Sequence, residues 1–118
     1  MLSTLRTLLV SLLLASCTNS QNSMGQVVVV ETVVASNDAH EIERLVTAPL
    51  ERAIHTLTGF VRTESQTTPG SSRVEVFYAG TPTPEEIRQG ESAALAEWAK
   101  FSALASKPVV SIRSSARP

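Results

Sequence analysis

Residues 27–59 constrain the fold of this chain more than any other stretch. Val27 to Val34 is rich in β-branched residues and apolar on both faces, which predicts a central strand. The residues after it carry an apolar stripe at spacings of three and four, which predicts a long amphipathic helix that ends at Gly59. The stripe consists of Ile42, Leu45, Val46, Pro49, Leu50, Ala53, Ile54 and Leu57. The later elements are therefore expected to complete a sheet against this helix.

The sequence leaves two features of this helix open, namely its N-cap and the effect of Pro49. Asp38 and Glu41, three residues apart, have the spacing of a capping box, but Ser36 or Asn37 is an equally good cap. Pro49 lies within the stripe and removes one backbone hydrogen bond. It therefore predicts either a kink that follows the curvature of the sheet or a division into two shorter helices.

Two alternating segments follow and predict a β-hairpin. They are Phe60 to Gln66 and Ser72 to Tyr78. A five-residue connection, residues 67–71, lies between them. Within it Pro69 fixes φ and Gly70 allows a positive φ, which is typical of a turn.

A second helix and a short last strand complete the pattern. Thr83 as the N-cap, Pro84 at the first helical position and Glu86 at the third give a strong helix start. Its buried side is predicted to consist of Ile87, Ala94, Leu95, Trp98 and Phe101. Pro108 then precedes a strand from Val109 to Arg113, which we expect at an edge of the sheet.

The order strand, helix, strand, strand, helix, strand predicts a ferredoxin-like α+β sandwich of the split βαβ type. Right-handed crossovers place both helices on one face of a four-stranded antiparallel sheet. The other face would be open and would carry Arg62, Glu64, Arg73 and Glu75. These four residues are the candidate interaction residues of the sheet.

The first sixteen residues have the pattern of an export signal. Arg6 precedes the apolar run Leu8 to Ala15, which is too short to cross a bilayer. Residues 14–17, Leu-Ala-Ser-Cys, resemble the lipobox of bacterial lipoproteins, so Cys17 is the candidate lipidation site. The alternative is an ordinary secretory signal in which Cys17 is incidental.

The lipoprotein interpretation divides the chain into four parts. These are a signal peptide (1–16), a flexible tether (17–26), the folded domain (27–113) and a tail (114–118). Lipidated Cys17 would hold the domain on a membrane of the bacterial cell envelope, facing the periplasm. Thr18 after the cysteine favours the outer membrane over the inner one.

Composition and motifs argue against several functions. A net charge of −1 and an aromatic content of 4% make nucleic acid a poor candidate partner. The single cysteine excludes an intramolecular disulfide. His40 and His55 lack the further ligands of a metal site, and no catalytic constellation is recognisable. We therefore expect no metal, no cofactor and no enzymatic activity.

The stretch from Val27 to Gly80 resembles a known pattern. Glu41-Ile42-Glu43 and the hexapeptide at residues 46–51, Val-Thr-Ala-Pro-Leu-Glu, are similar to the helix motif of the first periplasmic porter subdomain of resistance–nodulation–division (RND) efflux transporters. Thr58-Gly59-Phe60 and Ala79-Gly80-Thr81 stand where that family has Pro-Gly-Val and its closing Gly-Thr. The family also keeps a proline at the position of Pro49.

The resemblance implies a non-enzymatic, lipid-anchored module of transmembrane efflux that is not a pump by itself. Its partners would be subunits of an RND efflux complex or further copies of itself. Pro69 and Gly70 would be possible contact residues, because porter hairpins touch neighbouring subunits in that family. The alternatives are a truncated transporter fragment without a task of its own, or a ferredoxin-like lipoprotein that binds a small molecule.

Overall fold

The computed structural model describes residues 25–114. The four strands are β1 (Gln26–Val33), β2 (Arg62–Thr68), β3 (Ser71–Phe77) and β4 (Val109–Ser114). The first helix, α1, is a continuous run of three segments: α-helical Ala39–Ile42, π-helical Glu43–Thr47 and α-helical Ala48–Ile54. The second helix, α2, is Pro84–Trp98. The predicted signal peptide, Cys17 and most of the predicted tether lie outside the described residues.

The sheet has the strand order β2-β3-β1-β4, and every neighbouring pair is antiparallel. The Val-rich β1 lies at the centre, between β3 and β4, because both of its faces are apolar. The predicted ferredoxin-like α+β fold, with four antiparallel strands and two helices, is confirmed.

The core lies between the sheet and the two helices. Alternate residues of β1 and β3 point into it, and the apolar stripe of α1 covers them. The fully buried members of that stripe are Ile42, Val46, Leu50 and Ile54, each 0% exposed. From α2, Ala94 is also fully buried. Both helices therefore pack on the same face of the sheet.

Asp38 is the N-cap of α1, which decides between the three candidate caps. Its side chain accepts hydrogen bonds from the backbone N–H groups of His40 (3.0 Å) and Glu41 (3.3 Å). Ser36 has a supporting role: its hydroxyl donates to the Glu41 carboxylate and accepts from the backbone N–H of Asp38. Glu41 therefore does not close a capping box with Asp38.

Pro49 neither breaks the helix nor separates it into two. The segment before it is π-helical, and the backbone N–H of Ala48 bonds to the carbonyl of Glu43, five residues earlier. Pro49 then stands at the second position of the following α-helical segment, where a missing N–H leaves no hydrogen bond unmade. A change of helix type thus accommodates the proline.

All four strands differ from their predicted bounds by one or two residues, and two further boundaries differ for a local reason. The α-helical part of α1 ends at Ile54 and not at Gly59, because Thr56 and Leu57 form tighter bonds to carbonyls three residues back. The hairpin connection has two residues and not five, because Thr68 and Ser71 already pair across the ladder. Gly70, at φ 84°, supplies the positive φ that the turn requires.

Candidate functional site

A groove of about 390 Å³ lies between α1 and the turn that follows α2. The residues that line it come from two distant parts of the sequence. They are Leu45, Pro49 and Arg52 from α1, and Glu97, Lys100, Phe101, Ala103 and Leu104 from the end of α2 and the turn. The volume falls within the range of about 300–1,000 Å³ that is typical of small-molecule sites.

Hydrogen bonds to β1 hold the turn that forms one wall of this groove. The backbone N–H of Ala35 donates to the carbonyl of Leu104 (2.8 Å), and that of Ser106 donates to the carbonyl of Val33 (2.9 Å). The indole N–H of Trp98 donates to the carbonyl of Ala105 (2.9 Å), which ties the end of α2 to the turn. Three hydrogen bonds therefore hold this wall of the groove in place.

The interior of the groove is apolar. Phe101 is 9% exposed and belongs to the main core cluster, and the partly buried Leu45 and Leu104 pack against that cluster. The groove is thus continuous with the hydrophobic core, and a molecule in it would bury its own apolar surface against carbon atoms.

The rim of the groove carries two cations and one anion. The ammonium group of Lys100 lies 3.2 Å from a carboxylate oxygen of Glu97, whose side chain is 17% exposed. Arg52 is exposed, and its guanidinium has no salt bridge or hydrogen bond to any residue in the range 25–114. The pairing of Lys100 with Glu97 leaves one uncompensated positive charge at the rim.

A smaller cavity of about 310 Å³ lies on the other side of the same turn. It is lined by Val33, Val34, Ala35 and residues 102–106. Ala103 and Leu104 belong to both cavities. Since no charged side chain lines this second cavity, the groove beside α1 is the better candidate site.

The structure places the four predicted interaction residues together on the sheet face opposite the helices. In the ladder, Arg62 and Glu64 of β2 stand opposite Phe77 and Glu75 of β3, and Arg73 lies on the same face. Arg62 pairs with Glu64 (3.2 Å), and Arg73 pairs with Glu75 (3.4 Å). The role of these residues in binding a partner stays a prediction.

Two further residues complete that charged face, and the sequence pattern did not single them out. Arg113 of β4 forms a second salt bridge to Glu75. The guanidinium of Arg62 stacks on the ring of Phe77, 3.8 Å from its centroid. Arg113 was missed because its neighbour across the sheet is set by the pairing of β4 with β1, which local alternation does not reveal. At the end of the hairpin Pro69 is exposed, whereas Gly70 is half-buried and its carbonyl accepts a hydrogen bond from the backbone N–H of Val34 (2.9 Å); their role as contact residues stays a prediction.

Under the π-helical segment lies a cluster of hydroxyl groups that we call the hydroxyl cluster. Thr47 and Ser72 are both 0% exposed, and their hydroxyl oxygens are 2.7 Å apart. The hydroxyl of Thr67 lies 2.8 Å from that of Thr47 and 2.9 Å from a carboxylate oxygen of Glu43. Thr32, which pairs with Ser72 across the strands, is 1% exposed, and its hydroxyl has no partner among the described residues.

Tyr78 has the one titratable side chain in the described part of the chain whose pKa departs clearly from its usual value. Burial raises the pKa of its hydroxyl, and the negative charge of Glu86 raises it further. Within residues 25–114, no three His, Cys, Asp or Glu side chains gather as metal ligands. In the same range, no helix is both long and apolar enough to cross a bilayer.

The fold is similar to that of solved enzyme structures. SnoaB, a cofactor-independent oxygenase from Streptomyces nogalater, superposes with a TM-score of 0.54 at 16% identity, over 80% of this chain and 95% of that chain. A variant of the same enzyme, with one asparagine replaced by alanine, gives a TM-score of 0.53 at 16% identity, over 79% and 94% of the two chains. The sequence matches no protein-family model and no curated protein.

These findings correct the functional predictions drawn from the RND resemblance. The assignment to a porter subdomain is wrong, because the two solved structures described above are those of an oxygenase and no family model supports the assignment. The predicted role as an accessory of efflux is wrong on the same grounds. The prediction of a non-enzymatic protein is also contradicted, since the solved structures reported above, which share the fold at 16% identity, are those of an oxygenase.

The motif residues behind that resemblance have a structural explanation. Val46 and Leu50 are fully buried core residues, and Pro49 follows the π-helical segment that accommodates it. A valine-rich strand, a helix with such a stripe and a hairpin are what any chain of this topology needs. The pattern therefore reports the fold and not the family.

Proposed function

We propose that this protein binds a small, largely apolar molecule in the groove between α1 and the turn after α2. The observation that supports this function is the groove itself, with its volume of about 390 Å³ and its floor of Phe101 and neighbouring apolar side chains. A site of this kind, apolar with a few charged groups at its rim, is typical of small-molecule binding. The groove lies in the helical layer, not on the open sheet face.

A pair of alanine variants tests this function. Ala103 is exposed and lines the groove, so Ala103→Trp fills the space without removing a core side chain. Ala96, which is exposed on α2 and does not line the groove, gives the matched control Ala96→Trp. The fluorescence of the neutral probe N-phenyl-1-naphthylamine reports binding. We expect the wild type and Ala96→Trp to bind the probe and Ala103→Trp to lose it. Equal binding by all three would exclude the groove.

The similarity to SnoaB favours a second candidate function, an oxygen-dependent reaction of the bound molecule. Glu97 supplies the carboxylate in the groove and is the candidate proton acceptor for an acidic hydroxyl of a substrate. Oxygen uptake in the presence of 1-naphthol, an apolar hydroxyaromatic, tests this function. We expect uptake that Glu97→Gln abolishes. No uptake above that of free 1-naphthol would leave binding alone as the function.

A further inference from the structure

Among residues 25–114 the guanidinium of Arg52 has no partner, and the sequence explains why. A helical arginine usually finds its carboxylate three or four residues away. Those positions around Arg52 are occupied by Ala48, Pro49, His55 and Thr56, none of which is acidic. The guanidinium is therefore available at the mouth of an apolar site.

The carboxylate of Glu97, which lines the same groove, is already engaged. It is largely buried, and Lys100 lies 3.2 Å from it on the following turn. A buried carboxylate needs a compensating charge close by, and Lys100 supplies it. Across the groove, the two cations and one anion sum to a single positive charge.

On the charged face of the sheet, each described arginine has a salt-bridge partner. On the open sheet face, three arginines form salt bridges to two glutamates in two separate groups, Arg62 with Glu64 and both Arg73 and Arg113 with Glu75. In the hydroxyl cluster, Thr47 and Ser72 are fully buried between α1 and the sheet and bond to each other. The groove therefore combines the guanidinium of Arg52 with space for a ligand.

We infer that the ligand of the groove is a small anionic amphiphile, a single carboxylate on an alkyl or aryl body, whose carboxylate pairs with Arg52. This inference rests on the function proposed above and specifies its ligand class. A guanidinium holds a carboxylate through two parallel hydrogen bonds, which orients the ligand at the rim. The body of the ligand lies on Phe101 and Pro49. A volume of about 390 Å³ corresponds to roughly a dozen water-sized units, so the ligand has about a dozen non-hydrogen atoms.

Three ligands of equal chain length separate charge from apolar burial. Decanoate, decanol and decylamine are each added, below the concentrations at which they aggregate, to displace N-phenyl-1-naphthylamine from the full-length protein. We expect decanoate to displace the probe at the lowest concentration and decylamine at the highest. Arg52→Gln should weaken decanoate about fivefold, the effect of one exposed ion pair, and leave decanol unchanged.

Two more variants test whether the charge at the groove determines the affinity for decanoate. Glu97→Gln removes the repulsion from the carboxylate in the groove, so decanoate should bind more tightly than to the wild type. Arg88→Gln makes the same change of charge as Arg52→Gln. Arg88 lies nine residues before Glu97 on α2, about 14 Å away along the helix, so this variant should leave the affinity for decanoate unchanged.

The outcomes distinguish this inference from the proposed function. If the wild type does not bind the neutral probe, the proposed function itself fails. If the probe binds but the three ligands displace it alike, or if Arg52→Gln weakens decanol as much as decanoate, only the inference about an anionic ligand is overturned.

Discussion

Replacement of Thr47 by valine tests how the hydroxyl cluster contributes to stability. Valine has nearly the shape of threonine, so the substitution removes the hydroxyl without opening a cavity. Two close contacts of Thr47 are lost, to Ser72 (2.7 Å) and to Thr67 (2.8 Å). Thr67 keeps Glu43 as a partner, whereas Ser72, at 0% exposure, is left without one.

The expected loss of stability follows from this difference, because Thr67 keeps a partner and Ser72 does not. A buried hydroxyl left unpaired costs about 1–3 kcal/mol, so Thr47→Val should lower the free energy of unfolding by about 2 kcal/mol. Ser72→Ala should cost less, about 1 kcal/mol, because Thr47 retains its bond to Thr67. The double variant leaves no unpaired hydroxyl at this pair and should cost about 1 kcal/mol, less than Thr47→Val alone.

Urea unfolding of the wild type and the three variants, followed by circular dichroism, gives the four free energies. The reasoning is refuted if the two single costs add in the double variant, since the hydroxyls would then be energetically independent. A cost of Thr47→Val below about 0.5 kcal/mol would also refute it. In that case Ser72 would have found another partner, such as the hydroxyl of Thr32.

Three further predictions concern the N-cap of α2, two glycines with positive φ and the pKa of Tyr78. Thr83→Ala removes the capping box with Glu86 and should cost about 1 kcal/mol in urea unfolding. Gly59→Ala should cost about 2 kcal/mol and Gly70→Ala about 1 kcal/mol, because both have positive φ but only the added methyl at Gly59 meets the Glu86 side chain. The raised pKa of Tyr78 means that stability is lost as pH rises above about 10, where the unfolded chain ionises first; Tyr78→Phe should flatten that loss.

Each of these predictions has an outcome that contradicts it. Equal stability of Thr83→Ala and Thr83→Ser would show that the cap contributes nothing. Gly70→Ala proving costlier than Gly59→Ala would exclude the steric role of Glu86. If Tyr78→Phe loses stability above pH 10 as steeply as the wild type, another group titrates there.

The order of the elements and the sheet were predictable because each has a local signal. Three such signals are the β-branched run of β1, the Pro-Gly turn and the cap at Thr83. Each determines the structure of only a few neighbouring residues. Once six elements are in order, chirality leaves few arrangements to choose from. The local signals and the chirality rule together explain why the fold was predicted correctly.

The groove and the hydroxyl cluster could not be predicted in this way. Arg52 and Glu97 are forty-five residues apart in the sequence and meet only because α1 and α2 pack side by side. The π-helical segment was missed because apolar spacings of three and four fit either helix type. Thr47 is separated from Ser72 by twenty-five residues, and nothing local distinguishes it from an exposed threonine.

The π-helical segment also allows α1 to lose one residue without a change in which residues face the sheet. Each residue of an α-helix turns the chain by about 100°, and a π-helical turn accommodates one residue more than an α-helical turn. Deletion of one residue from Glu43–Thr47 would convert the π-helical turn into an α-helical one, and the residues after it would keep their orientation. Leu50 and Ile54 would then still face the sheet. Among natural variants of this chain, single-residue deletions in α1 should therefore fall within Glu43–Thr47, because a deletion in the α-helical segment Ala48–Ile54 would rotate the residues after it by about 100°.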